Sequence, residues 1–411
     1  MKKFKPLLSI RVKKVIIHVV QLMKKVYLDY SATTPVDPKI IEVMLPYFKD
    51  YYGNPSSIHE YGIKAQEDIL ESRKCVASII HAKTDEIIFT SGGTEADNLA
   101  IKGIASNHDH KKNSKGAHII TSQIEHPAVL ETCKYLEKIG FNVTYLPVDK
   151  FGLINLDDLE SAISENTFLV SIIYANNEIG TIEPIEAIGK ITKKNNIILH
   201  TDAVQAVGKV TIDVMKEHID MLSCSSHKIY GPKGVGALYI KKGIKIPPLF
   251  HGGGHEKGLR SSTLNTPGII GFGKACELGK KRLQKDNAHL IKLRDMLIDN
   301  VLEIEESYLN GHPTKRLTNN AHFRFTAVEG ESLQLMLDEK GIAAATGSAC
   351  SSKKLKPSHV LIALGLKPEE AHGSLRFSLG RTTTKDEIQY VSEELPKIVD
   401  SLRKMSPLWK K

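Results

Sequence analysis

The sequence predicts an α/β protein, with a large domain on a mostly parallel, helix-covered sheet followed by a smaller α+β domain. Three observations carry this prediction. From Lys25 to about residue 262, apolar runs of strand length alternate with helical patterns, which is how a parallel sheet comes to lie between helix layers. After about residue 264 a long charged helical stretch, Gly279–Glu306, gives way to isolated short strands among helices. With 411 residues, 41% apolar and 25% charged, the chain can bury a sizeable core, and disordered and fibrous classes are excluded.

Taken in order, residues 1–22 read as a basic N-terminal extension, with Met23 opening the folded protein. Residues 1–25 hold eight basic side chains and no acid, so most of the formal charge of +9 sits there. The remainder is nearly neutral, which removes the case for a nucleic-acid surface. His18 interrupts the apolar run Val15–Val20 and no small-residue cleavage site follows, so a secretion signal is not indicated. An organellar presequence, and hence an organellar matrix, is the alternative to a cytoplasmic location. Residues 23–40 form an N-terminal segment in which Tyr27–Pro38, with little periodicity, is expected to pack on the small domain.

Residues 41–264 make the large domain, with strands expected at Glu86–Thr90, Ala117–Thr121, Phe168–Tyr174, Ile197–His200, Met221–Cys224 and Gly236–Ile240. Residues 265–411 make the small domain, with strands at His322–Val328 and Leu375–Leu379. No apolar stretch approaches the roughly 20 residues that span a bilayer, so no membrane association is expected. The five cysteines are scattered without a CxxC pair, which fits a reducing compartment and not a disulfide framework.

In a parallel sheet, ligands bind beyond the carboxyl ends of the strands, and the informative residues follow the strands. Ile87-Ile88-Phe89 leads into Thr90-Ser91-Gly92-Gly93-Thr94-Glu95-Ala96, a Gly-rich turn into a helix whose free N–H groups suit a phosphate. A plain turn capped by Thr94 explains the same residues, and no GxGxxG or GxxxxGK[ST] occurs. Asp202 ends an apolar strand, where a buried acid needs a cation or serves as a helix cap. Twenty-six residues on, Ser225-Ser226-His227-Lys228 places an amine at the same sheet edge. Phosphate cradle, buried acid and strand-end lysine together suit pyridoxal phosphate chemistry: the lysine forms the Schiff base and the acid keeps the ring nitrogen protonated. His126, after another strand, can lay an aromatic face on that ring.

Cys350 lies in Thr346-Gly347-Ser348-Ala349-Cys350-Ser351-Ser352-Lys353-Lys354, a small-residue run expected to form a mobile exposed loop. Nearby lysines favour its thiolate. Cys75, Cys133, Cys224 and Cys276 lie in core-like patterns and read as inert.

These motifs resemble the cysteine desulfurases of the iron–sulfur-cluster and nitrogenase-associated class, from Val26 onward. The resemblance rests on Tyr27–Pro35, Gly53-Asn54-Pro55-Ser56-Ser57, Asn176-Asn177-Glu178-Ile179-Gly180, Ser226–Gly234 and Gly347-Ser348-Ala349-Cys350. It implies pyridoxal-phosphate fold type I with a seven-stranded sheet, and an obligate homodimer. It implies that Lys228 carries the cofactor, Asp202 pairs with the ring nitrogen, Gln205 bonds the ring hydroxyl and His126 stacks on the ring. Gly93, Thr94, Ser225 and His227 hold the phosphate, with Thr263 reaching in from a partner subunit; Ser226 and Asn177 count among the cofactor-binding residues. Asn177 and Arg376 hold the substrate carboxylate, which a planar guanidinium meets bidentately.

The implied activity converts L-cysteine to L-alanine, leaves a persulfide on Cys350 and passes the sulfur to an acceptor or iron–sulfur scaffold protein. No resident metal is implied; Cys350 contacts a nascent iron–sulfur cluster only transiently. An aminotransferase of the same fold needs Lys228, Asp202 and Arg376 but not Cys350, and an inactive scaffold needs none of them.

Overall fold

A single sheet of seven strands sets where the informative residues go. The computed structural model describes residues 24–108, 116–347 and 357–409. The basic extension and the Cys350 run therefore lie outside the described residues. In chain order the strands are β1 (Val26–Tyr27), β2 (Ile87–Thr90), β3 (His118–Ser122), β4 (Asn142–Leu146), β5 (Thr167–Ser171) and β6 (Ile198–Asp202). They continue with β7 (Met221–Ser225), β8 (Gly236–Ile240), β9 (Ser307–Asn310), β10 (Asn320–Phe325), β11 (Ile342–Ala343) and β12 (Ser374–Ser378). The first helices are α1 (Pro38–Met44), α2 (Pro46–Lys49), α3 (Glu60–Ile79), α4 (Gly93–Ala105), α5 (Pro127–Lys138) and α6 (Leu156–Ala162). The later ones are α7 (Ile185–Lys194), α8 (Thr266–Leu302), α9 (Gly330–Glu339), α10 (His359–Ala363), α11 (Pro368–His372) and α12 (Lys385–Met405).

The large sheet runs β2-β8-β7-β6-β5-β3-β4, with every neighbouring pair parallel except those made by β8. Successive strand residues face opposite sides. Ile120, Val170, Leu199 and Leu222 join the apolar cluster on one face. Their neighbours Ile119, Leu169 and Met221 join the cluster on the other. Strands buried on both faces read as unbroken apolar runs, which is why the expected strands lie where they do. The edge strand β4 was not expected: its Asn-Val-Thr-Tyr-Leu is only partly buried and shows no apolar run.

Glycine explains the start of α8, thirteen residues before the expected Gly279. A Cβ on Gly273 would lie 2.6 Å from the Ser72 backbone of α3, and one on Gly271 would lie 2.6 Å from Met44 Sδ. The glycines weaken helix propensity but let α3 and α1 approach α8 closely. Downstream, Leu290, Leu293, Leu297 and Val301 of α8 join a separate cluster with Phe323, Phe325, Leu375 and Phe377 of the β12-β10-β9 sheet. The N-terminal segment packs against this part of the chain: β1 pairs in parallel with β11, and Asp29 bridges to Ser378.

Candidate active site

Strands β6 and β7 end side by side, and β8 brings β2 to the same edge. Gly236 pairs with Thr90 on one flank and Ser225 on the other. Its missing side chain lets the chain turn tightly, since a Cβ there would lie 2.8 Å from the Gly92 backbone. The N-terminus of α4 is thereby set beside Ser225: a Cβ on Gly93 would lie 2.6 Å from Val204 Cγ2 and 3.8 Å from Ser225 Cβ. Thr94 is exposed on the first turn of α4.

Asp202 closes β6 and is 4% exposed. Its Oδ1 accepts from the Val204 N–H at 2.9 Å, so the helix-cap reading describes one of its bonds. Burial pushes its carboxyl up, with His126 and Lys228 pulling it back down. A buried acid in that state gains from a further cation placed against it.

Lys228 ends the short helical turn Ser226–Lys228 that follows β7. Its Nζ donates to the carbonyls of Ser31 at 2.6 Å and Ala32 at 2.7 Å. Thr34 fixes this cover, its hydroxyl donating to His227 O at 2.9 Å and accepting from Tyr230 N at 2.8 Å. His227 sits under Thr33 Oγ1 at 3.1 Å, and burial followed by neighbouring lysines brings its imidazole down to about 4. Ser226 is fully buried.

His126 caps α5, its Nδ1 accepting from the Ala128 N–H at 3.1 Å. Burial lowers its imidazole pKa, aided by Lys228 and His359 and opposed by Asp202. The ring is therefore neutral, with its proton on Nε2. Gln205 donates from Nε2 to Ser31 O at 2.9 Å. Arg376, in β12 and 3% exposed, donates to Asn177 O at 2.9 Å and to Asp29 Oδ1 at 2.8 Å. Its Nε has no partner among the described residues. Thr263 is exposed on the connection ahead of α8.

Lys228, Asp202, His126, Gln205, Ser225 and Gly93 thus share one sheet edge, and Arg376 and Asn177 are joined to each other. Cys350 lies outside the described residues. Sequence reasoning missed the support of this site. Glu125 receives the Ser122 hydroxyl at 2.6 Å and the Ile173 N–H at 2.9 Å, bracing the turn that carries His126. Burial raises its carboxyl to about 8, so it is protonated at neutral pH. Asp97 lies 3.7 Å from His200 Nε2, both buried. Burial drives Asp97 well up and His200 down to about 3, so the imidazole is uncharged at neutral pH and the two are not an ion pair. Only Glu125, adjacent to His126 in sequence, carried a signal that could have found it.

The residues present fit pyridoxal phosphate. They offer an amine at a strand end, a buried carboxylate for the ring nitrogen, and a helix N-terminus where a Cβ on Gly92 would meet nothing within 4 Å.

The "Aminotransferase class-V" family model matches residues 26–391. "Cysteine desulfurase IscS" of Methanosarcina thermophila is 56% identical over 386 residues, 94% of each chain. Among solved structures, a "NIFS-LIKE PROTEIN" superposes with a TM-score of 0.86 at 39% identity, over 92% of this chain and 100% of that one. A second, "SspA in complex with cysteine", gives a TM-score of 0.76 at 39% identity, over 88% and 100%. On this identity, and on a fold with the lysine and acid at one strand edge, the chain belongs to the class-V aminotransferase family and, within it, to the pyridoxal-phosphate-dependent cysteine desulfurases.

Proposed function

We propose that Lys228 and Cys350 divide the desulfurase reaction, Lys228 handling the proton of L-cysteine and Cys350 its sulfur. The observation that carries this reading is the convergence of the Lys228 amine, the buried Asp202 carboxylate and the open N-terminus of α4 at one strand edge. Pyridoxal phosphate, when bound, supplies an aldehyde that captures amines and a ring that accepts the electron pair left at the α-carbon. With the cofactor bound, Lys228 Nζ would hold it through its aldehyde and would serve as the base for the α-proton of the substrate. Asp202 would place a negative charge against the ring nitrogen, His126 would stack on the ring, and Gln205 would donate to the ring hydroxyl. Gly93, Thr94, Ser225, Ser226 and His227 would hold the phosphate, with Asn177 at the cofactor and substrate.

Arg376 holds the substrate carboxylate, exchanging the contacts it makes with Asp29 and Asn177. The Cys350 thiolate attacks the substrate sulfur: the carbon–sulfur bond breaks, a sulfur–sulfur bond forms, and the carbon gains a proton and becomes alanine. Sulfur is oxidised as carbon is reduced, so no outside oxidant is needed. The persulfide passes to an acceptor protein for iron–sulfur cluster assembly, with Cys350 touching the nascent cluster transiently.

The reading includes a homodimer in the cytoplasm. Leu45, Phe48, Tyr52 and Ile58, 58%, 66%, 70% and 94% exposed, give an apolar surface of the kind that partners cover. Thr263 of the second copy completes the phosphate site. Sedimentation velocity reads this directly, and a monomer at micromolar concentration contradicts it. In this reading residues 41–264 hold the cofactor and 265–411 form the bulk of a smaller unit; two separate apolar clusters support two units, with Ile269, Phe272 and Cys276 of α8 packing in the larger one.

The test is product analysis. L-cysteine with a thiol reductant yields alanine and sulfide in equal amounts, whereas consumption that requires a keto acid and releases no sulfide supports the aminotransferase reading. Asp202→Ala retains part of the cofactor but loses about 10²-fold in turnover, the scale of one preorganised electrostatic partner. Unchanged turnover would reduce Asp202 to a cap for Val204.

A further inference from the structure

Behind the candidate site, Lys209 is set in the wall of a pocket shared with Lys228, Asp286, Asn319 and Arg381. Its Nζ lies 3.0 Å from Gln205 Oε1 and 3.2 Å from Gln205 O. Gln205 Nε2 donates to Ser31 O, the same carbonyl that accepts from Lys228 Nζ. The four residues form one chain: Lys209 to Gln205 to Ser31 to Lys228. Asn287 steadies its far end, donating to Lys209 O at 2.9 Å.

Protonation chemistry gives this chain a direction. An ammonium has three donors and no acceptor, so only the oxygen of the Gln205 amide can face Lys209. A flipped amide would set NH₂ against NH₃⁺. The Gln205 NH₂ must therefore point toward Ser31 O, the carbonyl that also accepts from Lys228 Nζ. We infer that Lys209 is a positioning residue, locking the Gln205 amide donor toward the cofactor site and adding a positive charge behind Lys228. The inference rests on the proposed role of Lys228.

Burial first, then Lys228 and Arg376, bring the Lys209 amine down to about 7, so the lock itself titrates near neutrality. The charged and titratable groups around it are Lys228 and His227 on the β7 turn, Arg376 on β12, and Tyr30, Tyr230, Asp286 and Arg381 of the pocket. Asp286 is the one carboxylate among these. It is engaged by Arg381 Nε at 3.4 Å, so it does not cancel Lys209.

The consequence is a shift in the protonation equilibrium of the bound cofactor. A cation behind Lys228 and a donor to the ring oxygen both disfavour the added proton. The experiment is a pH titration of the visible absorption of the cofactor-loaded protein, comparing wild type with Lys209→Met, Lys209→Gln and Lys209→Arg. Loss of the charge raises the midpoint by about one pH unit, the lower end of what a neighbouring charge does. Lys209→Arg, which keeps a permanent donor and charge, stays at or below the wild-type midpoint. Lys209→Gln gives the charge-loss result independently should Lys209→Met not fold.

Wild-type midpoints in both Met and Gln variants overturn the inference. Borohydride reduction and peptide mapping of the wild type separate this from failure of the underlying role: a label on Lys228 upholds that role whatever Lys209 does, and a label elsewhere removes it.

Discussion

Lys228→Ala is expected to lose both the visible absorption of the bound cofactor and the production of alanine. Removing a general base alone costs 10²–10⁴-fold, so turnover falls by at least about 10³-fold when the covalent anchor goes with it. Among the described residues no neighbouring lysine is placed to substitute. Lys209, the other lysine lining the same pocket, has its Nζ committed to Gln205. The variant also leaves the carbonyls of Ser31 and Ala32 without their donor, and part of any stability loss will come from there. A thermal melt separates that loss from catalysis. Wild-type absorption and alanine production together would contradict the assignment.

The second large effect is at Cys350. Cys350→Ser replaces a soft nucleophile by a hydroxyl that stays protonated, so sulfide release falls by more than about 10³-fold, as for removal of other attacking groups. Cofactor absorption and its response to L-cysteine persist. No other cysteine among the described residues offers a thiolate. Burial pushes Cys133 and Cys224 up to about 12 and Cys276 well above its ordinary value, and Cys75 is raised too. Alanine at any of these four costs about 1 kcal/mol of stability and leaves sulfide release intact. Sulfide release at the wild-type rate in Cys350→Ser would remove the thiol from the mechanism.

What the sequence disclosed, and what it hid, follows from how each feature is encoded. Leu169-Val170 and Met221-Leu222 are buried on both faces of the sheet, so their strands appear as apolar runs without any knowledge of the fold. Asp202 and Lys228 stand out because a charge at the end of such a run demands a reason. The edge strand β4 has no such run, and the first turns of α8 are disguised by glycines whose reason is the approach of α1 and α3. The cover over Lys228 is made of main-chain carbonyls, which no side chain announces. Lys209 reads as one more surface lysine until its ammonium is found against Gln205. Glu125 and Asp97 are acids whose burial, invisible in one dimension, changes their protonation.

The division of labour between Lys228 and Cys350 is tested most directly by one measurement. Cofactor-loaded protein is given L-cysteine without reductant, quenched, digested and mapped by mass spectrometry. The account predicts the mass of one additional sulfur atom on the peptide carrying Cys350, absent from Lys228→Ala. An added sulfur on the peptide of Cys75, Cys133, Cys224 or Cys276, or on none while alanine accumulates, contradicts it.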